Sequence, residues 1–225
     1  MNIKLFHGSN KIINSPQFGF GKKYNDYGLG FYCTEDMDMA KEWAVQIDKD
    51  GIVNAYDMDL SGLSVLDLNS EDYCILEWLE ILLENRRFDI HTDFGNEAVK
   101  YLKNNFRTDY ESYDLIKGYR ADDSYFSFAQ DFINNNISIS TLKKAMLLGG
   151  LGEQIVLKSS KAFERIIFSE SFNVETKIWF PKKEQRDRLA RKEYREMQQK
   201  PWKKGELYMM QILDLEIKKD DARLR

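Results

Sequence analysis

The chain has few of the residues that most hydrolases and metalloenzymes use for chemistry. Its 225 residues include two histidines, His7 and His91, and two cysteines, Cys33 and Cys74, whose spacing matches no zinc motif. Two cysteines are also too few for a disulfide scaffold, which favours a reducing, cytoplasmic location. The sequence contains no P-loop, no G-x-S-x-G nucleophile elbow and no complete dinucleotide-binding glycine motif. Catalysis by this chain would therefore depend on carboxylates, amides and aromatic side chains, and we expect no metal.

Long apolar runs are scarce as well. None approaches the roughly 18–20 residues that span a bilayer, and the first ten residues lack the features of a signal peptide. The apolar content of 43% and the charged content of 31% are ordinary for a globular protein. We therefore expect a cytoplasmic protein that makes no membrane contact.

The charge is unevenly distributed. Residues 182–204 carry ten Lys and Arg against four Asp and Glu, a net charge of +6 in a chain whose total is −4. Such a segment could attract RNA or DNA. A solvated helix of mixed charge is the alternative, and the interleaved acids favour it.

The hydrophobic patterns predict strands and helices in an irregular order. The helices lie as insertions between strands, which favours an α+β fold over a doubly wound sheet. The helix in 70–87 has Ser70 as its expected N-cap, and a long charged helix is expected from Pro181 onward. Strands are expected over 3–7, 31–34, 52–60, 63–68, 113–119, 154–159 and 165–170, and further helices over 35–47, 96–106, 120–133, 138–149 and 205–217.

Three short motifs carry the polar and aromatic residues of interest. FHGS, residues 6–9, places His7 at the end of the first strand, and YGLGFYCTED, residues 27–36, places Tyr32 after two glycines. GLGEQIVLKS, residues 150–159, opens a strand with Glu153 and Gln154. Taken singly, each fits an ordinary structural role: a hydrogen-bonded strand end, a core tyrosine or a polar strand cap.

Together the three motifs resemble the ADP-ribosyltransferases, in the branch that includes diphtheria toxin and the poly(ADP-ribose) polymerases. That branch has a His on its first strand, a Tyr after a glycine pair and a Glu at the start of a later x-I-V strand. Residues 1–170 are most similar to an uncharacterised bacterial family of this fold, found as toxin-like genes beside small partner proteins. GYRADDSYFSFAQDF and LGEQIVLKSSKAFERIIF are typical of that family.

The resemblance implies an α+β split β-sandwich, with two small antiparallel sheets around an NAD cleft and with inserted helices. It implies an ADP-ribosyltransferase-like domain over 1–175, followed by a helical C-terminal extension over 176–225. The amphipathic end of that extension, with Leu207, Met210 and Leu213–Leu215, either packs on the core or is covered by a small antitoxin-like partner.

The resemblance also assigns roles to individual residues in NAD binding. Tyr32 and Trp43 would stack on the nicotinamide, and the backbone of Gly8 would hold its carboxamide. His7 would bind a ribose hydroxyl, and Ser9 would add a polar contact.

Two further groups remain open alternatives. Arg120 or Asp122 would contact the pyrophosphate or the acceptor, although Asp122 could equally belong to the start of a helix. Because side chains alternate along a strand, only one of Glu153 and Gln154 can face the cleft. Glu153 fits the polymerase frame, whereas the bacterial family favours Gln154. A glutamine can hold the ribose 2′-hydroxyl but is a poor base, which favours transfer of a single ADP-ribose.

The function implied is an NAD-dependent mono-ADP-ribosyltransferase, a bacterial toxin-type effector of toxin–antitoxin or anti-phage systems that modifies a protein or a nucleic acid. One alternative is an NAD glycohydrolase, which performs the same cleavage with water as the acceptor. Others are a non-catalytic module that binds NAD or ADP-ribose and a nucleic-acid-binding protein.

Overall fold

A computed structural model describes residues 2–121, 123–150, 152–200 and 204–224. The strands are β1 (Asn2–Ser9), β2 (Phe31–Cys33), β3 (Gly51–Asp59), β4 (Val65–Asp67), β5 (Leu115–Tyr119), β6 (Glu153–Leu157) and β7 (Ile166–Val174). The helices are α1 (Met37–Ala44), α2 (Ile75–Asn85), α3 (Asp93–Asn105), α4 (Asp123–Ile133), α5 (Ile139–Ala145), α6 (Ser160–Phe163), α7 (Thr176–Gln198) and α8 (Met209–Asp214). The predicted α+β class is confirmed.

The strands form two separate sheets. The first has the order β1-β3-β7 and is antiparallel throughout, and the second has the order β2-β6-β5-β4. The second sheet is mixed because β4 runs parallel to β5, so the expectation of two antiparallel sheets was wrong for it. The long connection through α2 and α3 brings the chain back to the end of the sheet at which β4 begins, so that β5 can run parallel to β4. A parallel pair requires such a crossover.

A small apolar cluster joins the two sheets. It contains Leu5 and Tyr56 from the first sheet together with Leu115 and Leu157 from the second, all of them buried. At one edge the sheets are also linked through the backbone, where Phe6 of β1 and Thr34, just after β2, exchange two hydrogen bonds of 2.8 and 3.0 Å. Within the described ranges, the backbone therefore links the first sheet to the second at one bridge.

The main core lies on the other face of the second sheet. Ile116 and Val156 contribute from β5 and β6, and the helices supply most of the remaining side chains, including the fully buried Trp78. The alternation of side chains along β6 thus separates the two cores, with Ile155 and Leu157 in the small cluster and Val156 in the large one.

The first turn of α2 begins later than the sequence pattern indicated. Ser70 was the expected N-cap, but its hydroxyl donates to the carbonyl of Asp67 at 2.8 Å and takes part in a turn. The helix begins at Ile75, and its N-cap is Cys74, whose backbone N–H donates to the Glu77 carboxylate at 2.9 Å. Ser70 therefore makes its hydrogen bond within a local turn and does not cap the helix as the pattern predicted.

The C-terminal segment packs on the core. α7 begins at Thr176, five residues before the expected start, and it contains Pro181 within the helix. Ala190 and Tyr194 of α7 are buried in the main core, as are Met209 and Ile212 of α8. Of the tail residues expected to need covering, Leu207 and Leu213 pack against the main core, whereas Met210 and Leu215 are 45% and 54% exposed. The division into two domains at 175 stays a prediction. Within the described ranges, no helix has the length and apolarity needed to cross a bilayer.

The contact between α7 and α4 joins the tail to the main core, and its energetic weight can be tested. The ring of Tyr194 stacks on Phe128 at 3.7 Å between centroids, and its hydroxyl donates to Asp131 at 2.6 Å. We expect Tyr194→Ala to lower the free energy of unfolding of the whole chain by about 3–5 kcal/mol, and Tyr194→Phe by about 1 kcal/mol. Urea unfolding followed by tryptophan fluorescence measures both changes. A Tyr194→Ala variant that unfolds at the wild-type midpoint would show that the tail is energetically separate.

Candidate functional site

The site begins where β1 and β2 separate. Continuing the antiparallel register of the Phe6–Thr34 bridge would place Gly8 opposite Tyr32, yet no backbone hydrogen bond joins these two within the described chain. Backbone groups alternate in direction along a strand, so those of Gly8 lie on the same edge of β1 as those of Phe6. The N–H and C=O of Gly8 therefore face an opening between the two sheets.

A glycine at position 8 is required by the helix beside it. A Cβ atom on Gly8 would lie 2.2 Å from the carbonyl oxygen of Ala40 and 2.9 Å from the Cβ of Trp43, both on α1. Only a residue without a side chain lets α1 approach β1 this closely. The same contact brings Trp43 next to the opening.

His7 crosses the opening from β1 to β2. Its Nδ1 lies 2.7 Å from the carbonyl oxygen of Tyr32, and its ring stacks on Phe31 at 4.4 Å between centroids. A carbonyl oxygen can only accept, so Nδ1 carries the proton and Nε2 is left with a lone pair. Burial lowers the pKa of His7 below its usual 6.5, which keeps the ring neutral at neutral pH.

Ser9 is engaged in a turn. Its hydroxyl donates to the carbonyl of Lys11 at 2.5 Å and accepts from the Asn54 amide at 3.0 Å. The fully buried Asn54 also accepts from the backbone N–H of Ile13 at 2.8 Å, so it fixes the start of the loop between β1 and β2. Sequence reasoning missed Asn54, because a polar residue within a strand gave no signal of this loop contact.

The aromatic face of Trp43 is in contact with a cation, the guanidinium of Arg120. The guanidinium carbon of Arg120 lies 4.4 Å from the centroid of the Trp43 ring, and Arg120 also reaches the sulfur of Met39 at 3.9 Å. The indole N–H of Trp43 is buried and has no acceptor within the described part of the chain. The structure thus places two residues predicted from the sequence, Trp43 and Arg120, in direct contact. Asp122, predicted beside them, lies outside the described residues.

Tyr32 is held by the turn that precedes β2. Its hydroxyl donates to the carbonyl of Gly28 at 2.6 Å and accepts from the backbone N–H of Tyr27 at 3.1 Å. Gly28 has a φ of 71°, a left-handed conformation that glycine adopts without strain. Burial raises the pKa of Tyr32 well above its usual value, so its role is to hold and to pack, with no part in proton transfer near neutral pH.

The two adjacent polar residues at the start of β6 point to opposite faces. Tyr32 lies opposite Val156 in the sheet, and Gln154 is two residues from Val156, so Tyr32 and Gln154 share the face toward the main core. Glu153 lies on the other face. Its carboxylate accepts from Lys117 at 2.7 Å and from Asn69 at 2.6 Å, and its side chain is 37% exposed.

Gln154 is almost completely buried, with 4% of its surface exposed. Its amide nitrogen donates to the carboxylate of Asp26 at 2.8 Å and to the carbonyl of Tyr119 at 3.1 Å. Asp26 also accepts from Arg86 at 3.1 Å, and burial raises the pKa of its carboxyl. Sequence reasoning missed Asp26, because an aspartate in a polar, glycine-rich loop is typical of an exposed turn.

The described residues contain no group of three or more His, Cys, Asp or Glu side chains placed to hold a metal ion. The structure joins the predicted residues in separate contacts: Gly8 lies against Trp43, Trp43 against Arg120, and His7 is bonded to the carbonyl of Tyr32. Gln154 is bonded to the buried Asp26 on the face of the second sheet that it shares with Tyr32. This arrangement can bind a flat ring and hydroxyl or amide groups, and it presents neutral hydrogen-bonding atoms beside one aromatic face.

A comparison with known protein families identifies the family of this chain. The family described as proteins of unknown function, DUF3990, matches residues 3–168, most of the chain, and the protein belongs to this family. No curated protein and no solved structure matches it.

The anchoring of Tyr32 predicts a loss of stability when its hydroxyl is removed. We expect Tyr32→Phe to lower the free energy of unfolding by about 1–2 kcal/mol, because the buried groups of Gly28 and Tyr27 lose their partner. Tyr24→Phe is the matched control, since Tyr24 is 81% exposed, and it should change nothing measurable. Urea unfolding of both variants tests this. Equal stability of the two would contradict the role assigned to the Tyr32 hydroxyl.

The lowered pKa of His7 predicts a dependence of stability on pH. In the unfolded chain His7 titrates near 6.5, whereas in the folded chain it takes up its proton only at lower pH. The unfolded state therefore binds more protons as the pH falls below about 7, and the folded state loses stability in that range. The contribution of neutral His7 to the free energy of unfolding is complete above pH 6.5, and it is lost as the pH falls toward the pKa of His7 in the folded chain.

Substitution of each histidine checks this dependence. We expect His7→Gln to reduce the loss of unfolding free energy between pH 7.5 and pH 5.5, and His91→Gln, whose side chain is 80% exposed in the wild type, to leave it unchanged. Urea unfolding at the two pH values gives the difference. The same pH dependence in His7→Gln and in wild type would show that His7 does not titrate as stated.

Proposed function

We propose that this protein is an NAD-dependent mono-ADP-ribosyltransferase and that its two sheets form the split β-sandwich of that superfamily. The observation that carries the proposal is the separation of β1 from β2 between Gly8 and Tyr32. It leaves a pair of backbone groups facing an opening, beside an aromatic face and a neutral histidine. The proposal extends to the three motifs that led to it and assigns His7, Tyr32 and Gln154 to one site.

The backbone of Gly8 is suited to a carboxamide. A primary amide has one carbonyl oxygen and one NH₂ group, and the N–H and C=O of a single extended residue can satisfy both. Any side chain at position 8 would disturb α1, so the edge at this point consists of backbone alone. We assign it to the carboxamide of nicotinamide.

The face of Trp43 is suited to a flat cation. The guanidinium of Arg120 is planar and positively charged, and it lies over the ring at a distance typical of a cation–π contact. The nicotinamide ring of NAD⁺ has the same two properties, planarity and positive charge. On this proposal the ring takes the place of the guanidinium, and Arg120 moves to the pyrophosphate, for which two parallel N–H donors are well matched.

His7 and Gln154 are suited to ribose hydroxyls. The lone pair on Nε2 of His7 and the Oε1 atom of Gln154 are both acceptors, and each can hold a hydroxyl and orient the sugar. An acceptor near the 2′-hydroxyl stabilises the positive charge that develops on the ribose.

The proposed reaction breaks the bond between nicotinamide and ribose C1′. The electron pair leaves with the nicotinamide nitrogen, and C1′ forms a bond to an acceptor nucleophile, which loses its proton to solvent water. Gln154 cannot take that proton, and Glu153 is already bound by Lys117 and Asn69. Among the described residues, neither of the two adjacent polar side chains of β6 is thus a free carboxylate that could activate a ribose hydroxyl for chain growth, which supports transfer of a single ADP-ribose.

The acceptor and the partner remain proposals that rest on the resemblance. We propose a protein or nucleic-acid acceptor and a toxin-type role, with a small antitoxin-like partner. On α7 the basic residues alternate with acids, as in the 3.5 Å pair between Arg191 and Asp187. This pairing supports the solvated-helix interpretation of residues 182–204 over a nucleic-acid surface.

Nicotinamide release from NAD by the purified protein tests the proposal. We expect Trp43→Ala to lower kcat/KM for release by at least about tenfold, the loss of one stacking contact. Trp179→Ala is the matched control. Trp179 also contacts α1, where Lys41 lies 4.6 Å from its ring, but it lies outside the proposed site. We expect this control to stay within about twofold to threefold of wild type, because it removes no contact to the substrate.

The fate of the ADP-ribose separates the candidate enzymes. Incubation of the protein with a cell lysate and NAD labelled in its adenosine half should transfer the label to macromolecules. Release of nicotinamide with all of the label in free ADP-ribose would instead identify an NAD glycohydrolase. Absence of nicotinamide release with and without lysate would contradict the proposal.

A further inference from the structure

A buried carboxylate, that of Asp26, lies where four segments of the chain meet. Its side chain is 6% exposed. It accepts from the backbone N–H of Ala121 at 2.8 Å, from the Gln154 amide at 2.8 Å and from the Arg86 guanidinium at 3.1 Å. A buried charge is tolerated when it is paired and hydrogen-bonded in this way. These bonds tie the loop before β2 to β6, to the end of α2 and to the segment before α4.

The contacts of Gln154 fix which way its amide points. The two groups nearest its nitrogen, the carboxylate of Asp26 and the carbonyl of Tyr119, can only accept hydrogen bonds. The NH₂ group of Gln154 must therefore be the end that faces them. The amide oxygen, Oε1, lies on the other branch of the side chain.

The Oε1 atom is the part of Gln154 that is left for a ligand. No donor among the described residues reaches it, and it is not among the enclosed polar atoms that lack a partner. With its nitrogen held on two sides, Gln154 presents a single acceptor oxygen. The chemical group that fits such an atom is a hydroxyl donor.

We propose that Asp26 is a positioning residue: by holding the Gln154 NH₂ group, it keeps Oε1 turned toward the ribose 2′-hydroxyl of NAD. This inference rests on the proposed function. Asp26 itself touches no substrate atom and acts only through Gln154.

A carboxylate at position 26 is specific for this task. Oδ2 of Asp26 accepts from both Ala121 and Gln154, and Oδ1 accepts from Arg86. An asparagine has the same shape but carries one NH₂ group, which would meet a donor in either orientation. In Asp26→Asn the Gln154 amide therefore loses its fixed partner and can rotate, so Oε1 no longer holds one position.

The test compares NAD with an analogue that lacks the 2′-hydroxyl on the nicotinamide ribose. The quantity measured is the ratio of the two kcat values for nicotinamide release. We expect Asp26→Asn to reduce this ratio by about tenfold, because the variant can no longer distinguish the hydroxyl, while KM for NAD changes by less than about threefold. Gln154→Met, which removes the acceptor directly, should reduce the ratio equally. Asp220→Asn, an exposed aspartate, is the matched control and should leave it unchanged.

The combined substitution adds an independent check. If Asp26 acts only through Gln154, Asp26→Asn with Gln154→Met should show no further reduction of the ratio beyond either single variant. If Asp26→Asn does not fold by circular dichroism, Asp26→Glu, which shifts the carboxyl by one methylene, should show the same loss.

The outcomes separate this inference from the function on which it rests. A wild-type protein that releases no nicotinamide overturns the proposed function and this inference with it. A wild type that releases nicotinamide, with an Asp26 variant that slows both substrates equally, overturns the positioning role alone. That second result would make Asp26 a purely structural residue.

Discussion

The backbone bridge between Phe6 and Thr34 is the constraint on which the rest of the site depends. It joins the two sheets at one point, after which β1 and β2 separate and the ladder stops. Beyond it, Gly8 is pressed against α1, where no side chain could be accommodated, and within the described chain the backbone of Gly8, although paired with Val53 of β3, makes no hydrogen bond to β2. The opening is therefore a product of helix packing, and the same packing brings Trp43 to its edge.

A second constraint comes from the burial of Asp26. A charge in this position needs several donors, and the structure supplies them from distant parts of the chain, among them Arg86 and Gln154. The resulting bonds hold the loop that leads into β2, and with it the turn that anchors the Tyr32 hydroxyl. Packing of α1 and hydrogen bonding around Asp26 thus shape the two sides of one site. The first side is apolar and flat, and the second is polar and fixed in orientation.

Local sequence patterns predicted much of the fold and part of the site. The strands, most of the helices and the motifs around His7 and Tyr32 follow from residues close together in the chain, which is why they could be inferred. The choice between Glu153 and Gln154 could not, because alternation says only that the two differ and the pairing of β6 with β2 decides which faces Tyr32. Asp26 gave no signal, since its burial arises from partners up to 128 residues away. The start of α7 was missed because Pro181 was taken as a boundary, whereas the helix accommodates it within its early turns.

The most direct test of the central claim is the response of the Gly8 backbone amide to nicotinamide, followed by nuclear magnetic resonance of ¹⁵N-labelled protein. Our account predicts that the Gly8 amide signal shifts progressively as nicotinamide is added, because the carboxamide hydrogen-bonds to it. The amide of Gly62, in the open turn between β3 and β4, should stay in place. A Gly8 signal that is unmoved at nicotinamide concentrations that shift other residues would contradict the account, because the opening between β1 and β2 would then not be the nicotinamide site.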